Sequence, residues 1–386
     1  MDETENIKNQ SEFHDIDGNS SHFLLHHGIN SNAIKKSVEK WFRVYDFRVS
    51  EAFSVFYCHI NEETVENYFD ELVKEMKKIG CVPMLRKEKG EYAIYVVRKP
   101  RIKYRGVWVN LLLLIATVGT TILAGEAICI PYFGGRLLSI RTIVYSFIFF
   151  SLPLMTILGV HEMGHYFAAK RHNVKVSLPY FIPLPFFITG TMGAFISMRD
   201  PIPNRKVLLD VGVAGPICGF LIAVPVTIVG LFLTNLYAVS APETGEMILL
   251  GSPLIYSGLA LLVNSFIPFK EGIVIHPTAF AGWVGLFVTA INLLPAGQLD
   301  GGHVFRSLFG EKSRYVSYAA VVFMFALGFR YYFGWLVFAF LILILGMRHP
   351  PALNEVTELD MKRKILGVFT ILLLIVCFVP IPMMMA

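Results

Sequence analysis

The chain has 386 residues, 54% of them hydrophobic and 13% aromatic. Its mean hydropathy of +0.56 lies beyond that of a soluble globular domain and points to a polytopic membrane protein. The formal net charge is +5, yet residues 1–106 hold 17 of the 34 Lys and Arg and 17 of the 29 Asp and Glu, so the whole excess falls on the apolar remainder, mostly in short loops, which suits membrane orientation and not nucleic-acid binding.

Residues 1–40 are polar with an acidic start, which predicts a disordered leader without a signal or transit peptide. Residues 41–100 then read as a small soluble β-α-β-β domain. Phe53–Ile60 is β-rich, and Asn61-Glu62-Glu63 is a helix start. Val65, Tyr68, Phe69, Leu72, Val73 and Met76 recur at helical spacing, which predicts an amphipathic helix over Glu62–Ile79. Cys81–Arg86 and Tyr92–Val97 read as strands joined by a charged turn at Lys89-Gly90. The domain carries no catalytic constellation, so a tethered regulatory or substrate-contacting module is expected. Five scattered cysteines (Cys58, Cys81, Cys129, Cys218, Cys377) form no CxxC pair and no disulfide framework.

The cluster Arg98-Lys99-Pro100-Arg101-Ile102-Lys103-Tyr104-Arg105 belongs on the cytoplasmic side, which places the soluble domain there. A first span, Val107–Ala124, is expected to run outward, with 125–141 outside. The next apolar run, from about Ile143 to Ala169, is long enough to cross a bilayer and contains His161-Glu162-Met163-Gly164-His165. Residues four apart share a helix face, so His161 and His165 can present two imidazoles to one metal. Glu162 lies within reach of a metal-bound water as a general base. Such a string also arises by chance, but ionisable side chains are costly in hydrocarbon and persist there mainly for chemistry. The run ends at Lys170-Arg171-His172, five residues beyond His165, which sets a metal at roughly 8–13 Å from the cytoplasmic end.

Leu178–Met198 is too broken by Pro179, Pro183, Pro185, Gly190 and Gly193 to span, and too apolar for a plain loop. A re-entrant β-like loop beside the metal is expected, with Gly190, Thr191, Met192, Gly193 and Ala194 offering an edge to an extended substrate. An interfacial anchor is the alternative. A third span, Val207–Leu236, carries Gly212, Gly215 and Gly219, read as small residues for close helix packing.

Catalytic zinc usually takes three protein ligands. Asp300, closing the apolar stretch Ala279–Leu299 and framed by glycines, is the favoured third ligand. Asp210 is the rival, although its place four residues after Lys206 also suits the cytoplasmic interface. His303, three residues on, is a supporting partner or simply an interfacial histidine. If Asp300 is to reach the histidines, Ser252–Pro268, only 17 residues, must not cross the membrane. Tyr315–Phe329, Tyr331–Met347 and Ile365–Pro382 complete about seven spans. The expected organisation is thus a membrane core over 142–312 and C-terminal spans over 315–386.

The pairing of His161-Glu162-x-x-His165 with Asn292-Leu-Leu-Pro295 and Leu299-Asp300-Gly301 resembles the site-2 protease family (peptidase M50-like), zinc metalloproteases that cut inside membranes. The resemblance covers roughly residues 140–312. Arg348-His349-Pro350-Pro351 is similar to the branch shared by archaea and plant plastids. It implies one zinc ion per chain on His161, His165 and Asp300, water activation by Glu162, and Asn292 near the scissile bond. An amide in an apolar span can hydrogen-bond a peptide carbonyl or oxyanion, or simply another helix. The implied activity is cleavage of transmembrane segments of membrane proteins near the cytoplasmic face of a multi-pass cell-membrane protein. Substrate proteins and the lipid bilayer would be its partners, without nucleic acid. Many relatives carry a PDZ domain where this chain has only residues 237–278, and a C-terminal nucleotide-binding domain has no room after Met347. A non-proteolytic zinc transporter or sensor is the second class considered. It would spread ligands along several spans, whereas here they gather at one depth.

Overall fold

The computed structural model describes residues 31–50, 53–88, 90–99, 106–240, 248–270, 272–345 and 351–385. Two compact units meet in the sequence at Arg101–Ile102. In the first, α1 (Ser31–Glu39) and β1 (Arg43–Val49) precede β2 (Phe53–His59), α2 (Val65–Lys78), β3 (Cys81–Glu88) and β4 (Glu91–Arg98). The strands form one antiparallel sheet in the order β1-β2-β4-β3. The unit is therefore α-β-β-α-β-β and not β-α-β-β. Its first helix also occupies part of the expected leader, of which residues 1–30 lie outside the described residues.

The sequence signal for β1 was weak because Tyr45, Phe47 and Val49 remain exposed and the strand carries a bulge between Val44 and Asp46. A largely exposed edge strand lacks the clean alternation of an inner one. By contrast α2 buries Phe69, Leu72 and Met76 completely. At about 1.5–3 kcal/mol per fully buried large side chain, this stripe decides the helix. Gly80, at φ 73°, ends α2 with its N–H on the Lys77 carbonyl, a left-handed position that favours glycine.

The second unit opens with α3 (Val107–Phe133), nine residues longer than the expected first span. A tight turn at Gly134 and Gly135 leads into α4 (Ile140–Ser146), which continues through a five-residue π-helical stretch, Phe147–Ser151, into α5 (Leu152–Arg171). The short β5 (Tyr180–Pro183) and β6 (Thr191–Phe195) form a hairpin before α6 (Arg205–Tyr237). Then come β7 (Ile248–Leu250), α7 (Leu254–Phe266), α8 (Pro277–Asn292), α9 (Asp300–Phe309), α10 (Ser313–Arg330), α11 (Gly334–Leu345), α12 (Met361–Cys377) and β8 (Met383–Met385). Among the described residues, three helices are long and apolar enough to cross a membrane: α3, the continuous Ile140–Arg171, and α6. α8 and α11 are apolar but shorter. Residues 348–350 of the Arg-His-Pro-Pro segment lie outside the described residues.

The helical unit has one end rich in basic side chains, where α5 finishes and α6 and α12 start. At this end Arg363 of α12 holds Asp210 of α6 through two bonds, Nε–Oδ1 at 2.8 Å and Nη2–Oδ2 at 2.6 Å. His172, which closes α5, donates through Nε2 to the same carboxylate at 2.9 Å. Both ends of α7 are tied to the opposite end. Gly251 before it donates to the Pro382 carbonyl beyond α12, and the Ile267 carbonyl after it accepts from Asn235 in the last turn of α6. Thirteen residues rise about 20 Å, short of the roughly 30 Å hydrocarbon thickness. Within this unit α7 enters and leaves on one side.

The hairpin descends along α3. Asn110 Nδ2 donates to the Leu178 and Pro179 carbonyls at 2.8 and 2.9 Å, and ten residues further along α3 the backbone of Thr120 and Thr121 lies against Gly190. Ten residues of helix correspond to about 15 Å. Gly190 has φ 72°, and a Cβ there would overlap the Thr120 carbonyl oxygen. The tight approach and the left-handed backbone both require glycine. The segment Leu178–Met198 is thus a hairpin that reaches deep along a candidate membrane helix.

Candidate metal centre

His161 and His165 stand one turn apart on α5 and face α6 and α9. Their Nε2 atoms are 3.2 Å apart, and each is 3.2 Å from Asp300 Oδ2. Among the described residues this is the one group of three His, Cys, Asp or Glu side chains close enough to hold a metal. All three donor atoms belong to buried or nearly buried side chains, with His161 and His165 only 3% and 5% exposed. A tetrahedral ion bound at about 2.0–2.1 Å separates its donors by about 3.3 Å, so the triangle fits zinc.

Asp300 does not close a continuous span, as the sequence had suggested. α8 stops at Asn292, and a turn over 293–299 with Gly297 at φ 53° redirects the chain so that Asp300 becomes the first residue of a separate helix. Pro295 and Gly297 disfavour continued helix, which explains the break. A Cβ at Gly301 would overlap the Leu293 carbonyl and one at Gly302 the Gly297 carbonyl, so the two glycines let α9 fold back onto this turn. The far end of α9 is capped by Arg205, whose guanidinium donates to the Ser307 and Leu308 carbonyls at 2.6–3.2 Å. Asp210, the rival ligand, points instead to His172 and Arg363 and stays outside the triangle.

Glu162 is 5% exposed and its Oε1 lies 3.9 Å from His161 Nε2, beside the triangle and outside it. The backbone of Ile196, next after β6, hydrogen-bonds its carboxylate. Asn292, the last residue of α8, brings Nδ2 to 3.3 Å from His161 Nε2. Five residues separated by up to 139 positions in the chain therefore converge: His161, Glu162, His165, Asn292 and Asp300. His303 stands outside the triangle, with Nδ1 at 3.1 Å from the Leu299 carbonyl of its own turn.

Of the five hairpin residues singled out, Thr191 and Gly193 are buried, Met192 is 55% exposed and Ala194 is half-buried. Gly190 packs against α3 and not on the open side of β6. Thr191 Oγ1 donates to the Ile182 carbonyl and accepts from the Gly193 N–H, fixing the irregular start of the strand.

Several positions at the site carried no sequence signal of their role. His165 Nδ1 lies 2.7 Å from the Val211 carbonyl of α6, which leaves Nε2 to face the metal position. A backbone carbonyl has no residue signature. Gly215 and Gly219, read from sequence as helix-packing residues, pack specifically against the two histidines of the triangle. A Cβ at Gly215 would overlap the His165 imidazole at Nε2, and one at Gly219 would come within 3.0 Å of His161 Nδ1. Gly164 meets the same helix, its missing Cβ 2.7 Å from the Ala214 carbonyl. The spacing Gly212, Gly215, Gly219 was legible, but its target was not.

Residues 149–330 match peptidase family M50. The chain is 32% identical over 253 residues to probable zinc metalloprotease EGY1, chloroplastic, of Arabidopsis thaliana, covering 62% of this chain and 44% of that protein. It is 28% identical over 241 residues to EGY2 of the same plant, covering 60% and 41%. Against EGY3 of Oryza sativa subsp. japonica it is 31% identical over 254 residues, covering 58% and 41%. The chain spans less than half the length of these curated relatives. No solved structure gives a significant match. The chain carries a peptidase family M50 domain, homologous to that of the plastid-type EGY zinc metalloproteases.

Proposed function

With an M50 domain as the premise, we propose that this chain is an intramembrane zinc metalloendopeptidase that cleaves transmembrane segments of membrane proteins near the cytoplasmic face. The observation that carries the proposal is the buried His161–His165–Asp300 triangle with Glu162 beside it, its two imidazoles carried on a helix of membrane-spanning length. His161, His165 and Asp300 hold zinc, one ion per chain. When bound, zinc supplies a Lewis acid for the scissile carbonyl and makes a water acidic enough to ionise near neutral pH.

The chain's own residues do the rest. The Glu162 carboxylate takes a proton from the attacking water as its oxygen bonds to the carbonyl carbon, and returns it to the leaving nitrogen as the C–N bond breaks. The Ile196 N–H, bonded to Glu162, keeps that carboxylate turned to the site. The Asn292 amide donates to the carbonyl oxygen as negative charge develops on it. A substrate helix must unwind first, because its carbonyls are engaged in their own hydrogen bonds. The hairpin carries β6 from Thr191 to Phe195, and the edge of β6 not paired to β5 receives the unwound strand by β-strand addition. Positive-inside orientation sets the basic ends of α5, α6 and α12 toward the cytoplasm, together with the N-terminal unit. The proposed setting is a multi-pass protein of the cell membrane; the chloroplastic names of the relatives make a plastid-type membrane the other setting.

Gathering of the ligands at one point, with a base beside them, favours hydrolysis over zinc transport. Glu162→Gln is expected to abolish cleavage of a reconstituted membrane substrate, a loss of at least roughly 10²–10⁴-fold, while bound zinc stays stoichiometric. Cleavage retained at wild-type rate by that variant, or zinc flux across vesicles that survives it, would overturn the assignment.

A further inference from the structure

Among the described residues the N-terminal sheet has one covered face and one more exposed face, on which Val55 and Ala93 are nonetheless buried beneath larger side chains. On the covered side Phe56, Leu85 and Ile94 are buried, α2 packs against β3, and Lys35 of α1 sits 4.2 Å over the Phe47 ring. The register places Phe53, Val97 and Val82 in one row on the opposite face, and Val55, Tyr95 and Met84 in the next. Tyr57 and Arg86 flank Ala93 in a third row. Tyr45 joins them, its ring 6.3 Å from Tyr57, and Phe53 packs 6.0 Å from Tyr95. Tyr45 is 47% and Phe53 41% exposed. Two guanidiniums lie over this aromatic belt: Arg48 is 5.5 Å from the Tyr57 ring and Arg86 is 6.0 Å from the Tyr95 ring. Two acids share the face, Asp46 at 3.7 Å from Arg48 and Glu88 accepting from the Tyr95 hydroxyl.

We infer that this face binds the anionic headgroup surface of the bilayer. Tyrosine and arginine on one face are what a membrane–water interface recruits: an amphipathic ring at headgroup depth, and a cation that lays its stem on apolar surface while its head meets phosphate. The chain itself brings such a surface close. The sheet ends at Arg98, and the tether to α3 carries Arg98, Lys99, Arg101, Lys103 and Arg105 within eight residues. From Lys99 to Val107 the tether can reach at most about 28 Å, which bounds how far the sheet can move from the start of α3. A cationic tether draws anionic lipid to itself within about a Debye length, roughly 8–10 Å. The inference rests on α3 being a membrane span.

The full chain tests it when reconstituted in vesicles of phosphatidylcholine, with or without phosphatidylglycerol. A nitroxide is attached through Phe53→Cys on the open face, Lys78→Cys on the exposed side of α2, or Ile115→Cys on α3. Collisional relaxation is read with oxygen, which partitions into lipid, and with a water-soluble nickel chelate. With phosphatidylglycerol at low salt, the Phe53 label is expected to lose several-fold of its exposure to the chelate and gain exposure to oxygen. The Lys78 label should not change, and high salt should reverse the effect. Arg48→Glu together with Arg86→Glu should return the Phe53 label to water. The inference is overturned if the Phe53 label stays equally open to the chelate in both lipids, or if both charge reversals leave it protected. It is also overturned if the label is shielded from both reagents in neutral lipid, which would mean that protein covers the face. The Ile115 label reports α3 separately: immersion there with no response at Phe53 sinks the docking and spares the span.

Discussion

At the scale of single residues, the candidate metal centre is shaped as much by missing side chains as by its donor groups. His165 is clamped between the Val211 carbonyl on one ring nitrogen and the bare backbone of Gly215 beside the other. Gly215→Ala is therefore expected to push the imidazole off the triangle and lower zinc affinity by about 10–100-fold, read by titration with the metal alone. Gly219→Ala, whose Cβ would meet His161 at 3.0 Å, should cost less, since a few tenths of an ångström of movement relieves it. Equal zinc binding by Gly215→Ala and the parent chain would remove this role. Partners also separate Asp300 from Asp210: Asp210 already spends its carboxylate on Arg363 and His172, while Asp300 meets both imidazoles.

At the scale of elements, the β5–β6 hairpin and the Asp210 clamp do different work. The hairpin is positioned by Asn110 at its base and by Gly190 near its tip, both against α3. Gly190→Ala should strain the turn and lift the tip. Cleavage in kcat/KM is expected to fall by up to about 100-fold with zinc content unchanged, because substrate and not metal is misplaced. A parallel loss of zinc would show instead that the hairpin props the metal site. The clamp joins the end of α5 with the starts of α6 and α12 through charge-assisted bonds. Its side chains are 20–28% exposed, so solvent screens part of their interaction. Asp210→Asn should cost about 1 kcal/mol, seen as a drop of a few degrees in thermal unfolding, and leave zinc bound. Loss of the metal at native stability would return Asp210 to the ligand set.

At the scale of the whole molecule, the position of Asp300 depends on how many times the chain crosses before it. α7 enters and leaves at the end of the helical unit where α6 and α12 finish. Cysteines introduced at Ser252 and Lys270, which flank α7, should then react with an impermeant maleimide from the same side of sealed vesicles. One at Asn173, after α5, should react from the other side. Opposite-sided labelling at 252 and 270 would make α7 a crossing and separate the site's two halves.

The sequence by itself determined the candidate metal-binding motifs. Two imidazoles at helical spacing with a glutamate between them, and an aspartate among glycines after a later apolar run, were identifiable because each is a local pattern. The soluble unit's α2, β2, β3 and β4 were legible for the same reason, through apolar periodicity within one element. The edge strand β1, the break that makes Asp300 open a new helix, and the target of Gly215 were not, because each depends on what the element touches. Only the tertiary structure decided that His161, Glu162, His165, Asn292 and Asp300 share one point. Bringing them together takes the packing of α5, α6, α8 and α9, in which a glycine admits an imidazole and a backbone carbonyl fixes its tautomer. Such contacts are a property of two chains of atoms meeting in space, and a one-dimensional pattern records only one of them at a time.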